Sequence, residues 1–195
     1  DAAAAAAAGA RGPEQPRHIA FARTERANID AVLEWARAED PVLALQIATH
    51  LAWVWMLSGD PLAIERLRAS LAAADALATD EQRRAAALLL GWHLASRGDV
   101  LLGHATVLEA TERFGAAGDE LDRAREDFSL AFVLSQKGDF AGCREVLDRS
   151  RPSFVAGGQT WDEAANWVLY AHAPLATGDR EAAVLACDEA TRLLG

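Results

Sequence analysis

Three side-chain patterns in this chain have the residue types that chemistry uses. Histidines stand at positions 18, 50, 93, 104 and 172. A metal-binding helix spaces its ligands as His-x-x-x-His or His-Glu-x-x-His, and no pair here does so. Each histidine therefore reads as a surface or packed side chain. Carboxylates cluster in "EATE" (Glu109 to Glu112) and "ARED" (Ala124 to Asp127). A general acid and base need such proximity, but solvated helix faces carry the same pattern routinely. Neither a Gly-x-Ser-x-Gly nucleophile elbow nor a Gly-x-x-x-x-Gly-Lys-Ser/Thr phosphate loop occurs. The expectation is a non-enzyme with no catalytic residue, no metal and no cofactor.

The third pattern is "RGD" (Arg97 to Asp99), the tripeptide that integrins read. It is one of five Gly-Asp pairs, and four of them, with glycines at 59, 98, 138 and 178, are spaced by 39, 40 and 40 residues. A fixed period of 20–50 residues marks repeat architecture. The motif thus reads as a structural joint rather than an adhesion site.

The elements around these joints are helical. Before each pair lies one helix-forming run ("LALQIATHLAWVWMLSGD", "RRAAALLLGWHLASRGD") and after it a second ("DPLAIERLRASLAAADALA", "DVLLGHATVLEATERFGAAG"). No window alternates as a strand would. Gly59, Gly98, Gly138 and Gly178 are expected to close one helix in a left-handed conformation. Asp60, Asp99, Asp139 and Asp179 are expected to cap the next. Pro61 should occupy a first helical position. "TDEQ" (Thr79 to Gln82) and "TWDE" (Thr160 to Glu163) match capping boxes. Pro152 and Pro174 predict kinks or early stops. With a leading helix over 24–40, the expected fold is an all-α superhelix of about nine helices. Its repeats span 41–78, 79–117, 118–157 and 158–195.

Register columns suggest how the repeats stack. Ala52, Gly91, Ala131 and Ala171, seven places before each glycine, are small enough for close helix approach. Trp53, Trp92, Phe132 and His172, six places before, read as inter-repeat core.

Bulk properties narrow the partners. The 195 residues carry a formal net charge of -10, which disfavours nucleic acid and anionic membranes. No apolar run of membrane-spanning length is expected. Cys143 and Cys187 read as small buried hydrophobes in a reducing, cytoplasmic compartment. Residues 1–23 open on "DAAAAAAAGARG", which reads as a low-complexity tail or linker. Whether Ala2–Ala8 is natural sequence, a scar or placeholder residues is open. The start at Asp1 and the single Met56 suggest a piece of a larger protein. Eighteen arginines against one lysine suggest a GC-rich genome.

A small-residue column before a glycine turn, within paired helices, resembles the tetratricopeptide repeat, in a form longer than the standard 34 residues. More specifically, Glu25, Asn28, Ile29, Val32, Leu33, Trp35 and Ala36 resemble the pattern that opens the helical arm of actinobacterial signal-transduction ATPases. These include regulators of the SARP and LuxR types, related to the maltose activator MalT, and some adenylate cyclases. The resemblance covers residues 24–195. It implies an ATPase module upstream and an output domain elsewhere.

On this reading the chain is a non-catalytic sensor or scaffold arm that binds a protein, a peptide or a small effector. A stand-alone peptide-binding adaptor is the alternative. The expected groove runs along Ile47, His50, Val54, Leu89, His93, Glu126, Ser129, Val133 and Asn166. His50, His93 and Glu126 should be partly exposed. The other reading of this strip is packing between adjacent repeats.

Overall fold

The structure, a computed structural model, describes residues 2–115 and 118–195. Every regular element among these residues is a helix. The leading helix is α3 (Arg26–Glu39), preceded by α1 (Ala2–Gly9) and α2 (Gln15–Thr24). Four pairings come after it. α4 (Pro41–Ser58) packs on α5 (Ala63–Ala74), and α6 (Asp80–Ser96) on α7 (Val100–Phe114). α8 (Glu120–Lys137) packs on α9 (Phe140–Ala156). The last pairing sets α10 (Thr160–Tyr170) and α11 (His172–Thr177) against α12 (Arg180–Leu194). The first helices α4, α6, α8 and α10 also pack in succession.

Among the described residues the helical segments number twelve rather than nine, for two reasons. The stretch expected to be a tail folds into α1 and α2, both packed on α4. Alanine has the strongest helix propensity, and its small side chain lets Ala6 and Ala10 sit fully buried. The second reason is Pro174. It has no N–H to bond the Tyr170 carbonyl, and the helix breaks at Ala171. Pro152, by contrast, lies inside α9, which runs on to Ala156.

The four regularly spaced Gly-Asp joints close their first helices in the same way. The four glycines have φ between 67° and 95°, the left-handed region that a β-carbon disfavours. The following aspartate donates its N–H to the carbonyl five residues back: Asp60 to Trp55, Asp99 to Leu94, Asp139 to Leu134 and Asp179 to Pro174, all at 2.9–3.0 Å. This six-to-one bond satisfies a helix-terminal carbonyl. Three of the four carboxylates then accept a backbone N–H at the start of the next element. Asp139 accepts from Gly142 N and Asp179 from Ala182 N. Asp60 accepts from Leu62 N in a turn containing Pro61, and α5 begins only at Ala63. Asp99 is the exception: its side chain makes no cap bond. Asp139→Ala is therefore expected to cost about 0.5–2 kcal/mol, and Asp99→Ala clearly less. Urea midpoints of the two variants compare them directly, and equal losses would contradict the assignment.

The capping box at Thr79 and Gln82 is complete. The one expected at Thr160 is absent, because Gly158 turns the chain and Gln159 takes the N-cap position. Asp40 caps α4, with Pro41 at its first turn.

The small-residue column marks a close helix crossing. A β-carbon on Gly91 would meet the Gly103 carbonyl at 2.8 Å, and one on Gly103 would meet the Gly91 carbonyl at 2.6 Å. α6 and α7 thus touch backbone to backbone.

Contrary to the sequence expectation, α4 is long and apolar enough, by length and composition, to cross a membrane: 18 residues of mean hydropathy 1.3. In this fold it packs on α1, α2, α3, α5 and α6, and Leu45, Leu51, Val54 and Trp55 are buried there. Cys143 is buried as expected, and burial pushes its thiol up to about 11. Cys187, expected to be buried, is exposed on α12.

Candidate functional site

A cleft of about 190 Å³ opens where the first helices meet. Helical spacing places its walls. Glu81, Arg84, Leu88 and Trp92 fall on one face of α6, and Asp122, Arg125, Glu126 and Ser129 on one face of α8. α4 contributes Trp53, and the first turn of α10 contributes Trp161 and Asp162. The turn between α1 and α2 contributes Arg11.

The floor is aromatic. Trp53 meets Trp92 at 4.6 Å between ring centroids and Trp161 at 5.3 Å, both edge to face. Trp92 also meets Phe128 at 5.3 Å and Phe132 at 4.7 Å. Such edge-to-face pairs suit the ring quadrupole. Trp53 and Trp92 are nearly buried, yet their indole N–H groups have no acceptor among the described residues.

The rim is charged. Arg84 and Glu126 form a nearly buried ion pair between α6 and α8. Arg125 reaches Asp122 at 3.2 Å and Asp162 at 3.7 Å. Four carboxylates line the cleft against two arginines from α6 and α8. The local excess is therefore two negative charges, and Arg11 reduces it to one. The Arg11 guanidinium lies 3.7 Å from Asp162 and 5.6 Å from the Trp53 ring centre. Burial holds its pKa below the ordinary value, and Asp162 opposes that shift.

The strip expected from the sequence does not form one surface. Val54, Val133 and Asn166 are fully buried, and His93, Ser129 and Glu126 are 3%, 6% and 9% exposed. Partial exposure of His93 and Glu126 is thus overturned. The reason is stacking: this face of each first helix looks toward the preceding hairpin. His93 Nε2 donates to the Ala52 carbonyl at 2.9 Å. Asn166 donates to Leu147 O and Ser150 Oγ of α9. His50 remains exposed beside Gln82, and Ile47 faces Ala2 and Ala3. Only Leu89, Glu126 and Ser129 of the strip reach the cleft. Its floor is instead Trp53 and Trp92, from the column six places before the glycine, with Phe128 and Trp161. Sequence reasoning missed Arg11, Arg84, Arg125 and Asp162. The basic runs "RR" at 83–84 and "RAR" at 123–125, at the polar starts of apolar helices, were the available signal. The "ARED" carboxylates are not a wholly solvated face either, since Glu126 is nearly buried and pairs with Arg84.

His93 provides a pH test. Burial is the largest influence on it and holds its pKa below the ordinary 6.5, against the bond to Ala52. Below about pH 6.5 the unfolded chain takes up a proton that the folded imidazole resists. Stability is therefore full above that pH and is lost as pH falls through the folded value. His50, His104 and His172 shift the same way. The melting temperature is expected to fall less between pH 7 and 5 (roughly the histidine range) in His93→Gln than in the parent. Identical pH profiles would contradict this.

No family model, curated protein or solved structure matches this chain.

Proposed function

We propose that this chain is a non-catalytic, peptide-binding arm of a larger bacterial regulatory ATPase, built as a tetratricopeptide-like superhelix. The observation that carries the binding role is the cleft. It has an aromatic floor, a charged rim and unpartnered indole donors, contributed by four successive first helices. Its volume lies below the 300–1,000 Å³ of drug-sized pockets, which suits side chains of an extended segment more than a whole small effector.

The attachment to an ATPase rests on the resemblance over Glu25 to Ala36. On α3, Asn28, Val32 and Trp35 make one exposed stripe, with Trp35 57% exposed. An exposed tryptophan in such a stripe suits contact with a further module.

Ala85 tests the cleft. It lies on the wall and is itself exposed. Peptides selected from a random library on the parent chain should bind Ala85→Phe at least about tenfold more weakly. The melting temperature should stay nearly the same, since exposed substitutions change stability by about 0.5 kcal/mol at most. Selected peptides that bind both proteins equally would place the binding surface elsewhere. For the ATPase role, Trp35→Ala in the gene product with its flanking regions should change nucleotide hydrolysis. Absence of any nucleotide-binding module there would favour the stand-alone adaptor.

A further inference from the structure

We propose that the cleft is specific for arginine side chains, and that Arg11 occupies it in cis as an intramolecular competitor. This rests on the peptide-binding reading above. The charge balance points to a cation: Glu81, Asp122, Glu126 and Asp162 face only Arg84 and Arg125 from the walls. Of the four, Asp162 is almost wholly buried, with a side-chain exposure of 7%. A guanidinium suits the site better than an ammonium. It is planar and weakly hydrated, stacks on indole, and can meet a carboxylate with two parallel N–H donors.

Arg11 has this chemistry but is held loosely. It meets Asp162 at 3.7 Å, an ion-pair distance beyond hydrogen bonding, and stays 32% exposed. Its seat is a short turn between α1 and α2, each of which packs on α4. An arginine on a separate peptide, free to adjust its backbone, can approach Asp162 closely enough for a bidentate pair. The cis segment then lowers apparent affinity by holding part of the population closed.

The test uses the full 195-residue chain and a fluorescein-labelled peptide of sequence Ala-Gly-Ala-Arg-Gly-Pro, the order found from Ala8 to Pro13. A matched peptide has citrulline, uncharged and of similar shape, in place of arginine. Binding is read by fluorescence anisotropy, with melting temperatures as a check on folding. Arg11→Ala and the milder Arg11→Gln should bind the arginine peptide about tenfold more tightly than the parent. On both variants the citrulline peptide should bind about tenfold more weakly than the arginine peptide. Asp162→Asn should remove that preference. If Arg11→Ala and the parent bind equally, or citrulline binds as well as arginine, the inference is overturned. The peptide-binding reading then still stands on the library peptides that Ala85→Phe rejects. If neither the arginine peptide nor any library peptide binds parent or variants, both fall.

Discussion

Trp92→Ala is expected to destabilise the protein by about 3–5 kcal/mol, the range for truncating a buried aromatic residue. In a chain of this size that corresponds to a fall of about 6–20 °C in melting temperature. The magnitude comes from position. Trp92 is 6% exposed and touches the rings of Trp53, Phe128 and Phe132. Those rings belong to α4 and α8, so one side chain joins three first helices. Its removal leaves a void that rigid helices cannot close, because α6 is already in backbone contact with α7 at Gly91 and Gly103. Trp92→Phe, which keeps part of the ring contact, should lose clearly less. Thermal unfolding followed by circular dichroism measures both. A loss below about 1 kcal/mol for the alanine variant would show that the column is not a packed core.

Arg66→Met is expected to cost a similar amount, about 3–5 kcal/mol, by breaking a buried ionic cluster. The Arg66 side chain is 5% exposed and meets Asp30 at 2.7 Å and Asp60 at 3.0 Å. Its guanidinium lies 4.9 Å from the Trp55 ring centre. It therefore ties α3 to the first Gly-Asp joint and packs on α4. Asp60 is nearly buried and would lose its strongest cationic neighbour, with Arg26 left at 4.0 Å. Burial pushes the Asp60 carboxyl up, but the Leu62 N–H and Arg66 together hold it below its ordinary value of 3.8. Its contribution is thus present above about pH 3.8 and is lost as pH falls through the folded value. The double variant Arg66→Met/Asp60→Leu should recover part of the loss, because it removes the stranded charge. Denaturant melts at neutral pH give the cycle. Strictly additive losses would mean that the pair is not coupled.

The local features of this fold were legible because each is written in a few adjacent residues. At the four spaced joints the glycine is a left-handed stop, and Asp139 and Asp179 are acceptors for the next helix, Asp60 for a turn before it. The same logic failed at Thr160, where Gly158 turned the chain one residue earlier than the motif required. The tail was misread for a different reason. An alanine run carries no amphipathic stripe, so only its burial against α4 reveals its place. The cleft was misplaced by one column. Period 3.6 shows that a helix has an apolar face, but it does not say which neighbour that face meets. The strip through His93 turned toward the preceding hairpin, and Trp53 and Trp92 of the adjoining column became part of the floor. Pairs such as Arg66 with Asp30, 36 residues apart, have no local signature at all.

The pairing of each helix with its chain neighbours has a kinetic consequence. Most tertiary contacts close short loops, so the conformational search is brief and hairpins can form in sequence, as low contact order favours rapid folding. The cleft obeys the opposite rule. It draws on Trp53, Trp92, Glu126 and Asp162, side chains from four hairpins, and no single hairpin holds a part that could act alone. Asp162 stands in the last of these hairpins, while Arg11 arrives from the turn between α1 and α2. Opening of any one hairpin therefore takes apart the cleft while the other hairpins keep their own packing, which makes the intact cleft a report on the integrity of the whole fold.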